Sequence, residues 1–600
     1  MKRPRYAAIV ALIWLIAGPA AGQESAAARL NAIFSDYWEW YSAQIPELAT
    51  FRGDNRFNDR LTDASAEAVA SRKAYRAELA ARLKSIDRTQ LGGQDRISYD
   101  VFARELGSAA RFDAIFGKLP FGATFDEWSP VNQFDGPQFW LPQLAAATPF
   151  RTVADYEAYL KRLAQIPRQL RQLQQRMQAG IDTGWLPPGV SLQRVPSQLD
   201  AHLNADVTQV PLYRPFTQFP ADVSAPDQKR LGEAGRRVLA DDVVPAFKAL
   251  KDFYQSRYLP AAQARKGIGA SELPGGAEYY EAKISEMTTT SMKAREIHEL
   301  GLHEVARIES EMNDVIRRSG FSGTREEFAR FLHESPQFYY STGDELLAGY
   351  RDIAKRADAE LPKLFAELPR TPYGVRAEEA FQGDNADHYV PSAGDGSRAG
   401  FFEANINNVK MRPKYDMEDL ILHEAVPGHH LQISRAQEIK GLPEFRKYTW
   451  FVAYGEGWAL YAESLGDEMG FYKDPYSKFG QLSAEMWRAC RLVVDTGMHA
   501  SGWSRQRAID YIKEHALISD DYAVAEIDRY IVWPAQALGY KIGELKIKAL
   551  RAQARAALGD RFDLRHFHNA LIDDGPLPLD VLEGRIDGWI ASQKVAHAVR

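Results

Sequence analysis

Cysteine is nearly absent. Cys490 is the single one in 600 residues, so no disulfide can form within the chain. No sequence motif surrounds it, and no G-x-S-x-G elbow occurs anywhere, so cysteine and serine nucleophiles gain no support. An excess of basic charge is also missing. The net charge is −6 and no Lys/Arg cluster of the kind nucleic acid requires is found. Beyond the first residues no apolar run approaches membrane-spanning length. Fixed-period repeats and low-complexity tracts are absent too.

What is present is the composition of a globular protein, 45% hydrophobic and 26% charged. The length exceeds a single compact core, so one large domain or a few coalesced ones are expected. The start of the chain reads as an address. Lys2, Arg3 and Arg5 precede an apolar run from Tyr6 to Ile16 and the small residues Ala17 to Gly22. This is the pattern of a secretory signal peptide over residues 1–22. It predicts export to a periplasm or the exterior, with no stable membrane insertion afterwards. No cysteine lies near the cut, which argues against a lipid anchor.

The rest is predominantly helical in pattern. Ser65 to Ile86, Val153 to Ile181, Thr290 to Ser319 and Gly343 to Leu368 show apolar residues at helical spacing, with a break at Pro167 and Thr290 as a cap. The expected fold is mainly α, a large bundle-like domain over 23–600 around a deep cleft. An N-terminal helical subdomain (23–280) and a catalytic subdomain (281–600) are its expected parts. Two short β-like runs, Ala386 to Pro391 and Gly400 to Ile406, flank Gly394-Asp395-Gly396-Ser397 and predict a small hairpin or edge pair. An aromatic, Gly/Pro-rich passage from Phe116 to Gln143 reads either as a cleft lining or as a buried loop packing helices.

One octet carries the chemistry: His423-Glu424-Ala425-Val426-Pro427-Gly428-His429-His430. Neutral imidazoles bind zinc, and a carboxylate beside the first of them can take a proton from the attacking water. In H-E-x-x-H the two His lie four residues apart on one face. Here Pro427 and Gly428 intervene. On a straight helix His429 would lie roughly 120° from His423. His430 would share its face but sit ~10 Å along the axis. Pro427 opposes a straight helix. A kink or looped-out Pro-Gly would bring His429 to the metal, with His430 as the alternative second ligand. Two other groupings are weaker. His298-Glu299 with His303 puts its His on different faces, and His333-Glu334 has no partner His.

A third ligand is needed, with an open position. Glu456, between Gly455 and Gly457 on the next helical stretch, is the candidate. Glu463 lies on the same face two turns on and could orient a ligand His. For a developing oxyanion, Tyr540 or His499 are candidates, and for a substrate carboxylate Arg491 or Lys541.

The octet, with Leu431-Gln432, resembles the bacterial DUF885 family, named as a domain of unknown function. Arg491 to His499 with Gly502-Trp503-Ser504, and Pro534 to Gly543, resemble the same family. Its layout is similar to the helical, gluzincin-type zinc peptidases of the thermostable carboxypeptidase, angiotensin-converting-enzyme-like and oligopeptidase families. That resemblance implies His423, His429 and Glu456 as ligands of one Zn2+ and Glu424 as general base. It implies an exported metallopeptidase acting on short peptides or other small amides. The Pro-Gly insertion is where the chain departs from those peptidases. A non-catalytic binding protein with a closed, four-ligand metal site including His430, and a hydrolase of non-peptide amides or esters, are the other readings.

Overall fold

The computed structural model describes residues 25–123, 128–378, 387–392 and 398–598. The expected signal peptide, Phe125, Ala386 and the Gly394-Asp395-Gly396-Ser397 turn lie outside these residues. The fold is mainly α with one small sheet, as the hydrophobic periodicity predicts. Among the described residues no helix is long and apolar enough to cross a membrane.

The helices that position the site are numbered here in chain order. α1 (Ala26–Gln44), α2 (Ala66–Lys84) and α3 (Gly93–Phe116) open the chain. Ser65 caps α2, its hydroxyl accepting from Ala68 N at 3.2 Å. Residues between Val131 and Ala262, joined by Leu61 and Ala64, build a second hydrophobic cluster around Leu170, Phe247 and Tyr258. The expected break at Pro167 falls between two helices, Val153–Leu163 and Ile166–Thr183, with the proline in the first turn of the second.

α4 (Gly276–Thr288) and α5 (Ala294–Ser319) follow. Thr290 does not cap α5. Its hydroxyl meets that of Thr288 instead, and the helix opens at Lys293, whose N–H donates to Glu296 Oε2 at 2.7 Å. α6 (Gly343–Leu364) leads into β1 (Tyr373–Ala377), β2 (His388–Val390) and β3 (Gly400–Ala404). β2 and β3 are the expected antiparallel pair. β1 adds a parallel strand on the other side of β3, so β2 is an edge.

The motif region comprises α7 (Met417–Glu424), α8 (His429–Gln437) and α9 (Val452–Ser464). α10 (Pro475–Ala500), α11 (Asp520–Val532) and α12 (Gly539–Leu558) complete the surround. Asp474 starts α10 by accepting from Tyr476 N and Ser477 N, with Pro475 in the first turn where no donor is needed. The C-terminal half of α10 is buried on all sides. Gly301 lets α5 lie against it, since a Cβ there would stand 2.8 Å from Leu492 Cβ.

The hydrophobic clusters do not divide at residue 280. Leu30 and Phe102 of the first helices share one cluster with Trp458, Leu571 and Ile586. The chain therefore closes on itself, and the N-terminal helices form part of the wall around the motif.

The aromatic passage packs inward. Phe121 and Trp128 are buried, and Trp128 Nε1 donates to Tyr279 Oη at 2.9 Å.

Candidate metal centre

α7 carries the first half of the octet. Met417, Asp419, Ile421, Leu422 and His423 are its buried residues, so His423 is held by packing on its own helix. The helix cannot run on. Pro427 has no N–H to give, and Gly428 folds back so tightly that a Cβ there would lie 1.8 Å from His423 O. The Val426–Pro427 peptide is cis. α8 restarts at His429, and His430 N donates to Ala425 O at 3.1 Å across the break. The expected kink is thus a complete interruption between two helices. Trp458 of α9 fixes it from the side, donating from Nε1 to Pro427 O at 2.9 Å.

The interruption brings His429 round to His423. Their ring centroids are 4.8 Å apart and their planes nearly perpendicular, at 88°. Glu456 Oε2 stands 3.7 Å from His423 Nε2 and 3.4 Å from His429 Nε2. One ligand atom from each residue lies within 4.8 Å of the others. Four ligands placed tetrahedrally at zinc-bonding distance are separated by roughly 3.4 Å. The donor set fits zinc in kind, in number and in spacing, with a position left over.

Glu456 gets there because α9 is flanked closely. A Cβ at Gly455 would meet the Trp450 ring at 2.1 Å, and one at Gly457 would meet Gly543 Cα of α12 at 2.4 Å. Trp450 also lies against His429, with ring centroids 5.9 Å apart.

Glu463, fully buried, accepts from His423 Nδ1 at 2.7 Å. Nδ1 is therefore protonated, and Nε2 is the nitrogen turned toward Glu456. Burial opposes a charge on His423, but the carboxylates of Glu456 and Glu463 outweigh it and raise its pKa to about 10. Glu456 is held well below the usual carboxylate range: burial acts upward, and the two imidazoles more than offset it. The pocket is one that calls for a cation, be it proton or metal. Glu463→Gln is expected to keep the fold and weaken zinc affinity about 10- to 100-fold, because the amide no longer fixes the His423 tautomer. Zinc titration against a chelating competitor reads this directly; an unchanged affinity would leave Glu463 without that role.

Glu424 follows His423 directly. Its Oε2 accepts from Tyr389 N at 2.9 Å, on the outer side of edge strand β2. His430 supports that strand rather than the centre. Its Nε2 faces Thr371 O at 3.2 Å and must donate, so Nδ1 accepts from Tyr389 Oη at 2.9 Å. Burial depresses its pKa to about 4, which keeps it neutral. Of the two alternatives for the second histidine, the geometry selects His429.

The downstream candidates are engaged by the fold. Both ring nitrogens of His499 serve the main chain, Nδ1 accepting from Ala270 N and Nε2 donating to Tyr530 O. Arg491 is buried, bonded to Tyr530 Oη and Glu526 and stacked on Trp487 and Tyr540. Lys541 is enclosed by Glu304, Glu485 and Glu544. These contacts correct the expectation that His499 would serve an oxyanion and close Lys541 off from a substrate carboxylate, whereas Arg491 keeps its Nη1 without a partner. Tyr540 stands on the first turn of α12, buried beneath the Arg491 guanidinium, and its hydroxyl accepts from Arg529 Nη2 at 3.5 Å. Of the weaker His groupings, His303 and His333 are exposed, and His298 bonds Thr496 Oγ1.

Tyr389, Trp450 and Trp458 were not marked by the sequence. Each acts through a contact between segments distant in the chain, which spacing cannot reveal.

Solved structures with this architecture exist. A candidate lipoprotein from Colwellia psychrerythraea is 29% identical, with a TM-score of 0.86 over 95% of this chain and 100% of that one. A candidate lipoprotein of unknown function from Shewanella oneidensis is 17% identical, with a TM-score of 0.70 over 94% of this chain and 99% of that one, and shares the fold. No curated protein matches the chain. The family model of the bacterial proteins of unknown function DUF885 matches residues 46–586, and the chain belongs to that family.

Proposed function

We propose that this protein is an exported zinc-dependent hydrolase that cleaves amide bonds of short peptides, in the manner of the gluzincin-type peptidases. The observation that carries the reading is the convergence of His423 Nε2, His429 Nε2 and Glu456 Oε2 on one point, with Glu424 next in sequence to the first of them. Zinc bound there would supply Lewis acidity and an activated water.

The chain's own residues do the rest. Glu424 accepts the proton of the attacking water and passes it to the leaving amine. The Tyr389 N–H holds one Glu424 oxygen, leaving the other to carry that proton. His430 positions Glu424 through Tyr389. Tyr540 is the remaining donor for the oxyanion. Glu463 keeps His423 in the tautomer that offers Nε2. A closed structural site would need His430 as a fourth ligand, and both its nitrogens are engaged elsewhere. Export is supported by the basic-apolar-small start of the sequence and by the description of both solved relatives as candidate lipoproteins.

The test is a pooled synthetic peptide library, with products read by mass spectrometry. Cleavage that is lost on chelation and restored by zinc is the expected result. If zinc-loaded protein leaves every peptide intact but hydrolyses small amides or esters, the non-peptide reading replaces this one. If it hydrolyses neither, the hydrolase reading fails.

A further inference from the structure

A cavity of about 600 Å³ opens among α1, α2, α3, α4 and the segment 445–450. Its volume is that of a site for a small organic molecule. Its wall includes Trp450, the residue that lies 5.9 Å from the His429 ring. The cavity and the metal centre thus share one indole.

Two features of the lining identify what fits. The first is Arg52, whose guanidinium lies over three rings, Trp38 at 4.7 Å, Tyr41 at 5.1 Å and Tyr448 at 5.4 Å. Stacking fixes the plane of the guanidinium but uses none of its N–H groups, and its Nη1 is buried without a hydrogen-bond partner. The second is the pairing of the neighbouring groups. Arg76 is bound to Asp113 and Lys283 to Glu286, and the Glu105 carboxyl, which burial pushes up to about 7, accepts from Thr449 Oγ1, so Arg52 supplies the recognition.

We infer that this cavity binds the non-reacting end of the substrate, a free carboxylate held at Arg52 and carried on an aromatic or other flat apolar residue. The inference rests on the hydrolase reading of the neighbouring centre. A carboxylate meets the fixed guanidinium edge with paired charge-assisted hydrogen bonds. The surrounding rings take the apolar part. Tyr448, which touches Arg52, and Trp450, which touches His429, are two residues apart in the chain. Arg52 and the centre are thus linked through three consecutive residues of chain, a separation that a short extended peptide of about four to six residues can span.

The experiment measures binding without turnover. Wild-type protein is held in EDTA and titrated calorimetrically with Ala-Ala-Ala-Phe bearing a free or an amidated C-terminus. The free acid is expected to bind at least tenfold more tightly than the amide. Arg52→Gln is expected to abolish that preference. Ala109→Trp, which fills the cavity from α3 and leaves Arg52 in place, is expected to abolish binding of both. Equal binding of acid and amide by the wild type, a preference that survives Arg52→Gln, or undiminished binding by Ala109→Trp would each overturn the assignment. Because zinc is absent, the outcomes separate. Acid preference in a protein that hydrolyses nothing removes the hydrolase reading and leaves the cavity assignment standing. Hydrolysis without acid preference removes only the cavity assignment.

Discussion

Glu424→Gln is expected to lower kcat/KM on a cleaved peptide by roughly 10²- to 10⁴-fold, the range that a positioned acid–base group contributes. Zinc content should not change, because Glu424 is not among the three residues whose ligand atoms converge. The substitution is a mild one structurally. A glutamine oxygen still accepts the Tyr389 N–H that now reaches Glu424 Oε2 at 2.9 Å. What it cannot do is take up a proton. Folding, metal and strand position should survive while turnover does not. Activity within tenfold of wild type would remove Glu424 from the mechanism, and a loss of zinc would place it among the ligands.

Gly428→Ala is expected to damage the site by a different route. A Cβ there would lie 1.8 Å from His423 O and 2.5 Å from Leu422 O, both main-chain atoms at the end of α7. That end cannot retreat, since Ile421, Leu422 and His423 are buried. The turn must open instead, and α8 begins at the next residue, His429. The cost should be about 2–4 kcal/mol of stability, as for an overpacked core position. A fall in zinc affinity should accompany it. Thermal unfolding and zinc titration measure the two effects. Gly107→Ala is the control. Nothing lies within 4 Å of a Cβ at that position in the middle of α3, so alanine there should be neutral or mildly stabilising. A Gly428→Ala protein with wild-type stability and zinc affinity would contradict the account of the turn.

The sequence made the centre legible because its parts are local. His423 and Glu424 sit on a short amphipathic helix, and Glu456 and Glu463 lie two turns apart on the next long one. The choice between His429 and His430 was not legible. It depends on how Pro427 and Gly428 turn the chain, and that is settled by Trp458 donating to Pro427 O and by the fit of Gly428 against α7. His499 misled for a related reason. A helix buried on all sides gives no pattern that tells which face meets the cleft, and α10 turns this residue toward α11. The third strand escaped notice because β1 pairs in parallel with β3, Tyr373 opposite Gly400, and parallel pairing leaves no local turn signal. The helices themselves were readable from period, as over Ser65 to Ile86. Thr290 shows the limit of reading a cap from residue type, since its hydroxyl had a nearer partner in Thr288.

The central claim is that His423, His429 and Glu456 hold one zinc ion. The most direct measurement is metal content by mass spectrometry of the purified protein and of His423→Ala, His429→Ala and His430→Ala. About one zinc per chain is predicted for the wild type and for His430→Ala, with loss in the other two, as a three-residue catalytic site requires. A folded wild type that takes up no metal when zinc is supplied, or zinc lost from His430→Ala and kept by His429→Ala, would contradict it.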